Sequence, residues 1–398
     1  MSARVLFLTT VAPHRRSSGG EVVSQAFVDG LRAAGHDVLV VGYSRPDDGQ
    51  PPAGTLLAGA RHIETDSAPL TTVAPWMAGA LAHRLPYSVA KYRSEGYVER
   101  VSRLLERESF DAIVIDHAQT GWLMPVVEGA APRLVLLAHN VEHLVYAERA
   151  QHAGSPLARA LYKRESRAAR SLEERLARAA TDVWTLTAAD AMRFRRLGAG
   201  NVAEFAVPSA VKPRAAETRR PKRFDVGLIG TWSWRPNRDA LRFFVDEVRP
   251  RLPDTMSVEV AGRGAQWLAG AHGNVRYRGP VPDARAFMAT ARSLAIPCVG
   301  GGGIQVKTLD AIASGTRVVA MPGALRGISD PPETVRVCVD AAEFAHGIRE
   351  AAAGGRSHHA KALEWSEVRR ERFLTELALR IHRNADAIYR GHAGAVTP

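Results

Sequence analysis

The sequence of 398 residues has little cysteine and no long apolar run. Its two cysteines, Cys298 and Cys338, do not make a disulfide framework, and no His or Cys cluster has metal-ligand spacing. We expect both to be small core residues. No apolar run reaches membrane-spanning length, and the short apolar stretch Val5–Leu8 lacks the length and cleavage site of a signal peptide. These absences exclude a disulfide-rich secreted domain and predict a cytoplasmic protein that needs no metal.

The sequence has fewer acidic than basic residues, with 41 Asp and Glu against 53 Lys and Arg, and its formal net charge is +12. This balance suits nucleic acid, an anionic membrane surface or phosphorylated substrates, although it also arises in GC-rich genomes. No helix-turn-helix, zinc or RNA-binding signature is present, so nucleic acid is not an expected partner. Residues 147–180 predict a long arginine-rich helix or helix pair, with Leu157 and Leu161 on its apolar stripe. Its basic face is either simply solvated or makes peripheral contact with an anionic membrane at the inner face.

The length predicts two domains or slightly more. Arg4–Thr10 predicts a strand, Ser17–Gly20 a loop, Val22–Leu31 a helix and Val38–Val41 a second strand. This βαβ unit has a glycine pair at its helix N-terminus but lacks the G-x-G-x-x-G fingerprint. Residues 45–95 are rich in Pro and Ala and show a less regular pattern. Prolines and basic residues between 203 and 223 predict a domain boundary. A second α/β series follows, and helices near 341–353, 358–370 and 371–389 end the chain.

Four consecutive glycines, Gly300 to Gly303, separate a predicted buried strand from a predicted helix that begins near Val306. Backbone amides and the helix dipole at such a junction favour an anion. Lys307 lies in the first turns, and Asp310 follows on the same side, where a carboxylate suits ribose hydroxyls. The alternative is a flexible surface loop before an ordinary amphipathic helix. The entropic cost of four glycines favours nucleotide-phosphate binding.

His117 directly follows the predicted strand Ala112–Asp116, and His139 directly follows the predicted strand Leu134–Ala138. Residues beyond the carboxyl ends of parallel strands line the ligand crevice of an open sheet. His117 suits a structural hydrogen bond as well as a functional one. For His139 we predict a function, because the polar cluster Asn140–His143 follows it.

Taken in order, the motifs resemble those of the GT-B glycosyltransferases, and among them the large retaining family 4. The resemblance covers nearly the whole chain, and the order and spacing of the motifs make it specific. The motifs are Ser18–Gly20, His139–Glu142, Gly230–Asn237, Val260–Gly264, Gly279–Asp283 and Gly300–Val319.

The resemblance implies an α/β fold of two Rossmann-like domains facing a central cleft. An acceptor-side domain would cover 1–205 and be joined by the C-terminal helix 372–390, and a nucleotide-sugar-binding domain would cover 222–371. The implied reaction is retaining transfer of a sugar from a nucleotide diphosphate sugar to an acceptor. That acceptor would be a glycan, a lipid-linked glycan or a small molecule.

The resemblance also implies roles for individual residues. The implied catalytic residues are His139, Lys307 and Arg263. The residues implied to bind the diphosphate are Gly19, Gly20, Lys307, Arg235, Gly230 and Thr231. The residues implied to contact the donor sugar are Gly301, Gly302, Gly303, Ile304 and Gln305. Asp310 would contact the ribose, and Val281 would contact the base. No metal or other cofactor is implied, because cations and helix N-termini replace magnesium.

Several positions depart from the family pattern. Gly302 stands where many members carry a first glutamate, and Asp310 stands for the second. Thr231 and Pro236 occupy positions where members often carry Arg and Lys, so Arg235 or Arg263 would supply the positive charge. Because of these departures, the motifs do not identify the nucleotide or the sugar of the donor. Two alternatives to a transferase also stay open: a nucleotide-sugar epimerase on the same fold, and an inactive nucleotide-sugar-binding or partner protein.

Overall fold

The computed structural model describes residues 2–61, 69–210, 221–270, 273–300, 302–354 and 359–382. Contacts divide the chain into two compact units. The first runs to Phe205 and resumes at Arg372, and the second runs from Ala206 to Glu371. Each unit has one parallel sheet with helices. The prediction of two Rossmann-like domains is confirmed.

The first unit is built on a seven-stranded parallel sheet with the order β3-β2-β1-β4-β5-β6-β7. The strands are β1 (Arg4–Val11), β2 (Asp37–Ser44), β3 (Thr55–Ala60), β4 (Ala112–Asp116), β5 (Leu134–Ala138), β6 (Asp182–Thr185) and β7 (Val202–Glu204). Every residue of β4 and β5 is buried. Strands covered on both faces read as continuous apolar runs, which is why their bounds agree with the sequence prediction.

Eight helices of the first unit lie before residue 205 in the described part of the chain. They are α1 (Gly19–Ala33), α2 (Leu70–Ala82), α3 (Tyr87–Ala90), α4 (Glu95–Arg107), α5 (Met124–Val127), α6 (Glu142–Gln151), α7 (Pro156–Ala179) and α8 (Ala188–Arg196). Residues 147–180 thus form parts of a helix pair. Ser155 caps α7 by accepting from the Ala158 amide, and Pro156 takes the first helical position.

The second unit has a six-stranded parallel sheet with the order β10-β9-β8-β11-β12-β13. Its strands are β8 (Phe224–Ile229), β9 (Val258–Ala261), β10 (Val275–Gly279), β11 (Ala291–Ile296), β12 (Arg317–Ala320) and β13 (Val335–Val337). Its helices are α9 (Arg235–Phe243), α10 (Ala284–Thr290), α11 (Val306–Ala313) and α12 (Ala341–Ala353), and α13 (His359–His382) ends the described chain.

The two predicted C-terminal helices form one helix, α13, so the predicted break near residue 371 is wrong. Beyond Arg372 this helix joins the core of the first unit, where the Phe373 ring meets Phe27 and Phe205 with centroids 5.0 and 6.0 Å apart. Gly30 allows this approach, since a Cβ there would lie 2.6 Å from the Leu377 side chain. Residues 383–390 of the predicted helix lie outside the described residues.

Two further predictions fail in the first unit. Residues 45–95 appeared irregular but contain β3, α2 and α3. Leu157 and Leu161, assigned to the apolar stripe of a packed helix, are 82% and 46% exposed. Cys298 and Cys338 are buried, as expected. In the described ranges, no helix combines the length and the apolar character that crossing a membrane requires.

Candidate active site

Asp116 is the last residue of β4, and its side chain is fully buried. The Thr9 and Ser24 hydroxyls each donate to Asp116 Oδ2 at 2.6 Å, and His139 Nε2 donates to Asp116 Oδ1 at 2.8 Å. A carboxylate that accepts three hydrogen bonds is stabilised in its charged form. Polar side chains from β1, from α1 and from the residue after β5 thus meet at one carboxylate at the end of β4.

Burial alone would raise the pKa of Asp116. Electrostatic attraction to His117 and His139 and the hydrogen bonds from His139 and Ser24 oppose that effect, and the pKa falls to about 2. Asp116 is therefore ionised at neutral pH. Because its bond takes His139 Nε2–H, the other ring nitrogen, Nδ1, is left for a ligand; this tautomer follows from the hydrogen-bond network.

His117 lies against His139, with ring centroids 3.5 Å apart and planes 23° apart. Its backbone φ is +66° and its ψ is 142°, a combination that costs energy for a residue with a Cβ and that concentrates at functional sites. Burial, followed by the neighbouring His139, lowers the pKa of His117 to about 3, so this ring is neutral. Gly20 accommodates it, since a Cβ there would lie 3.2 Å from His117 Cε1.

The ligand atoms of Asp116, His117 and His139 lie within 4.8 Å of one another, which is close enough for a metal ion. The carboxylate already accepts three hydrogen bonds, however, and the two imidazole planes stack instead of converging on one point. The Asp116 carboxylate thus has its hydrogen-bond partners from the protein alone.

Gly19 and Gly20 open α1 behind the cap Ser18, whose hydroxyl accepts from the Glu21 amide at 3.3 Å. Within the described residues, the Gly19 and Gly20 amides donate no hydrogen bond, so the helix presents two free donors. The Glu21 carboxylate lies nearby and accepts from the Ser17 amide and from Arg45, both within 2.9 Å. Its charge is compensated by Arg45.

The polar cluster after His139 starts α6. Glu173 of α7 accepts from the Glu142 amide at 2.6 Å and from the His143 ring at 2.6 Å, so it caps this helix. Burial and the Glu173 charge raise the pKa of Glu142. Most of this cluster therefore fixes the start of α6, while His139 alone turns toward Asp116.

In the second unit, the glycine loop is held from the side by Arg326. Its guanidinium donates to the Gly300 carbonyl at 3.3 Å and to the Gly303 carbonyl at 3.2 Å. Gly303 has φ +67°, a left-handed conformation that favours glycine. Gly302 is exposed, and Gln305 is buried at the N-cap of α11 next to half-buried Ile304. Gly301 lies outside the described residues.

Lys307 lies mostly buried in the first turn of α11. Its Nζ donates to Asn237 Oδ1 at 2.7 Å and lies 5.8 Å from the centre of the Trp232 ring. Burial lowers the pKa of Lys307 to about 8, and Cys298 opposes this effect. The ammonium is therefore charged at neutral pH, and its hydrogen-bond acceptor is a neutral amide.

The loop after β8, which carries Gly230 and Thr231, leads back to Lys307. Asn237 Nδ2 donates to the Thr231 carbonyl at 2.9 Å, so one amide joins this loop to Lys307. The loop also touches the segment after β9, because the Trp232 amide donates to the Arg263 carbonyl at 2.7 Å. Gly262 makes this contact feasible, since a Cβ there would lie 1.8 Å from the Gly230 carbonyl oxygen.

Two arginines project near these loops. Arg263 is exposed, and its side chain has no ion pair or hydrogen bond within the parts of the chain that the structure describes. Arg235 opens α9, where its exposed side chain lies 3.6 Å from Asp239, four residues ahead. Such exposed pairs are weak, so both guanidinium groups are accessible to an anion.

Asp310 and Val281, the residues predicted to contact ribose and base, are both engaged within the second unit. Asp310 Oδ1 accepts from the Ser209 hydroxyl at 2.7 Å and from the Ala210 amide at 3.1 Å, so this carboxylate anchors the first residues of the second unit. A ribose would compete with these bonds. Val281 lies half-buried between β10 and α10 and packs on the core beneath it.

Sequence patterns alone did not mark Asp116, Asn237 or Arg326 as site residues. Asp116 had a signal, since a carboxylate at the end of an otherwise apolar run seldom lacks partners. Asn237 ended the motif Gly230–Asn237 but had no assigned role. Arg326 had no local signal, because its partners in the glycine loop lie 23 and 26 residues away.

Two family models match the chain. A model described as glycosyl transferases group 1 matches residues 223–353, and one described as a glycosyl transferase 4-like domain matches residues 18–210. A search of curated proteins gives no match.

Solved structures share the fold at low sequence identity. Sucrose-phosphate synthase from Thermosynechococcus elongatus aligns with TM-score 0.63 and 15% identity, over 99% of this chain and all of that one. Anabaena HepE in complex with UDP-glucose gives 0.61 and 14%, over 97% and 100%. An E. coli trehalose-6-phosphate protein bound with UDP-2-fluoro glucose gives 0.59 and 13%, over 94% and 99%.

Proposed function

The chain belongs to the group 1 glycosyl transferases, with a 4-like domain before the group 1 domain, and we propose that it moves a sugar from a nucleotide diphosphate sugar to an acceptor with retention at the anomeric carbon. Structural neighbours that bind UDP-sugars support this donor class. The acceptor class is a glycan, a lipid-linked glycan or a small molecule.

One observation carries the proposal, namely the largely buried, charged Lys307 beside the glycine loop. A buried ammonium with only a neutral amide acceptor is poised for an anion, and a diphosphate supplies one. In the proposal Lys307 binds the diphosphate with Arg235, Gly230 and Thr231, and Arg263 adds positive charge.

The remaining donor contacts follow the same assignment. We propose that Gly302, Gly303, Ile304 and Gln305 line the donor sugar, held in place by Arg326. Val281 would border the base. Asp310 would accept from the ribose hydroxyls in exchange for its bonds to Ser209 and Ala210. Gly301 stays in the proposed sugar set from the sequence alone.

The first unit contributes His139 and the amides of Gly19 and Gly20. In the proposal the bond between the anomeric carbon and the diphosphate oxygen breaks, and the acceptor oxygen bonds to that carbon on the same face. The acceptor proton passes to the leaving phosphate. Charge grows on the diphosphate, so preorganised cations and amides stabilise the transition state. His139 Nδ1, aimed by Asp116, contacts the donor sugar.

We predict that excess EDTA leaves the transfer rate unchanged. Charge on the diphosphate is balanced by Lys307, Arg263 and helix amides in this mechanism, so a divalent ion has no necessary role. The measurement is the initial rate of a metal-stripped preparation with and without EDTA. A loss of activity that added manganese or magnesium restores would overturn the metal-free assignment.

A thermal screen tests the donor class. A nucleotide bound at 100 times its Kd adds about 2.7 kcal/mol to stability, so the cognate nucleoside diphosphate sugar should raise the melting temperature. UDP-, GDP-, ADP- and dTDP-sugars are compared, and the stabilising donor is then offered to mixed acceptors. A new glycoside supports transfer, epimerised donor indicates an epimerase, and binding without turnover indicates an inactive binding protein.

A further inference from the structure

Two helices of the first unit expose large apolar side chains. Met77 and Leu81 of α2 are 45% and 67% exposed, and Leu157 and Leu161 of α7 are 82% and 46% exposed. Each pair is spaced i, i+4, which places both members on one face of their helix. Single exposed apolar residues are ordinary, but a group of four on neighbouring helices is characteristic of an interaction site.

One hydrogen bond joins the two helices near their exposed apolar pairs. The Arg164 guanidinium of α7 donates to the Ala80 carbonyl of α2 at 2.6 Å. Leu161 lies one turn before Arg164 on α7, and Leu81 directly follows Ala80 on α2. We call Met77, Leu81, Leu157 and Leu161 the α2–α7 surface.

The sequence of α2 explains why apolar residues face outward. This helix has no charged residue, and only one side of it is packed, through Trp76 and Ala80, which are 8% and 2% exposed. A helix that is apolar on every side is normally covered on every side. Beyond the threonines of its first turn, the outer side of α2 therefore lacks the charged and polar residues that a water-facing helix carries.

The charged residues of the two described segments that carry this surface are all basic up to Arg93 and Arg164. Residues 69–93 and 152–164 contain no Asp or Glu. The nearest acid on α7, Glu165, is buried and engaged by Arg164 and by the Tyr87 amide. Exposed cations lie beside the apolar side chains, namely Arg84, Arg159 and Lys163. Cations next to apolar residues match an anionic lipid surface.

We propose that the α2–α7 surface docks this protein on an anionic lipid bilayer. The four apolar side chains enter the interface between headgroups and acyl chains, and Arg84, Arg159 and Lys163 meet lipid phosphates. None of the four exposed apolar side chains is aromatic, and the one tryptophan of α2 is buried. The exposed cations and the lack of Asp and Glu in residues 69–93 and 152–164 match the uniform negative charge of an anionic bilayer, and this match selects lipid as the occupant.

The location refines the expectation from residues 147–180. The C-terminal half of α7 packs into the core through Leu172 and Leu176, and its Arg170 pairs with Glu174 at 2.9 Å. The membrane-facing part is therefore the first two turns of α7, together with α2. In this proposal, membrane docking depends on that part of α7 and not on the basic composition of the whole helix.

Flotation with vesicles tests the proposal on the full chain. The wild type should bind phosphatidylcholine vesicles containing phosphatidylglycerol, bind less at high salt, and bind pure phosphatidylcholine weakly. Leu157→Gln with Leu161→Gln removes apolar contact, and Arg159→Gln with Lys163→Gln removes charge. Each pair of substitutions should weaken binding to the anionic vesicles by about tenfold or more, because the charge pair loses two contacts with lipid phosphates and the leucine pair loses its apolar insertion.

Matched controls lie elsewhere on the chain. Met192→Gln with Val339→Gln alters two exposed apolar residues, and Arg196→Gln with Arg276→Gln removes the same charge. These variants should bind vesicles like the wild type. Equal losses in the control and test pairs would overturn the proposal. Concentration-dependent dimers without lipid, lost in Leu157→Gln with Leu161→Gln, would also overturn it and assign the surface to a second copy of the chain.

Discussion

Lys307→Ala is expected to lower the transfer rate by roughly 10²–10³-fold, the cost of removing one preorganised charge-stabilising group, while the fold persists. The wild-type ammonium is largely buried at the start of α11 with Asn237 as its acceptor. A diphosphate gains negative charge as the sugar leaves, so the lost interaction is strongest in the transition state. Turnover and melting temperature are measured together on the same preparation.

The pH dependence of kcat/KM distinguishes a role of the Lys307 charge from a role of its side chain in packing. The pKa of Lys307 is lowered to about 8 by burial, so the free enzyme loses this charge above pH 8. We expect kcat/KM to fall across that range, as the ionisation of the free enzyme dictates. Asn237→Asp would place a carboxylate beside the ammonium. It should raise the Lys307 pKa, move the alkaline fall to higher pH, and weaken donor binding by competing for the cation.

Lys222→Ala is the matched control. Lys222 precedes β8 in the same unit, and its ammonium also donates to a neutral acceptor, here the backbone carbonyl of Ala289 at 2.9 Å. It lies before β8, whereas the proposed donor loop follows that strand. Equal loss of turnover in Lys222→Ala and Lys307→Ala would show that the effect is general, and an unaltered alkaline fall in Lys307→Ala would remove Lys307 from the mechanism.

The strands and packed helices could be predicted wherever burial leaves a pattern in the sequence. β4 and β5 agree to the residue because both faces are covered. α2 was missed because it is apolar on all sides and contains Pro75, so it shows neither helical periodicity nor a strand pattern. Periodicity placed Leu157 and Leu161 on one face correctly, but it does not reveal whether another element covers that face.

The site was predictable only in part for a related reason. His139 and Lys307 follow a strand and a glycine loop, positions that topology alone marks as functional. Their hydrogen-bond partners come from elsewhere in the chain. Asp116 lies 23 residues from His139, and Asn237 lies 70 residues from Lys307. Contacts at such separations leave no local signal, so the sequence indicated the functional groups without the side chains that orient them.

Asp116→Asn is expected to lower turnover by roughly 10–100-fold, the usual cost of losing a carboxylate that orients a functional imidazole. Asparagine keeps the shape and one oxygen acceptor for His139 Nε2, and the Thr9 and Ser24 hydroxyls can rotate to meet its amide. The negative charge beside the imidazole is lost. Since the proposed donor-binding cations lie in the second unit, the donor Kd should stay unchanged while kcat falls.

Asp182→Asn supplies the comparison that distinguishes positioning from stability. Asp182 is also a buried carboxylate of the same sheet, but it begins β6, whereas Asp116 ends β4, and it pairs with Arg133 and Arg380. Its substitution should lower the melting temperature and leave kcat nearly intact. Equal kcat losses in both variants, or a raised donor Kd in Asp116→Asn, would contradict the positioning role.

Acid unfolding gives an independent readout of the same carboxylate. The pKa of Asp116 is about 2 in the folded protein against an ordinary 3.8. A lowered pKa means that the unfolded state binds the proton more readily, so the ionised group stabilises the fold above about pH 4. That contribution is lost as the pH falls toward 2. The stability difference between wild type and Asp116→Asn should therefore shrink across this window, and a difference independent of pH would show that Asp116 is not ionised in the fold.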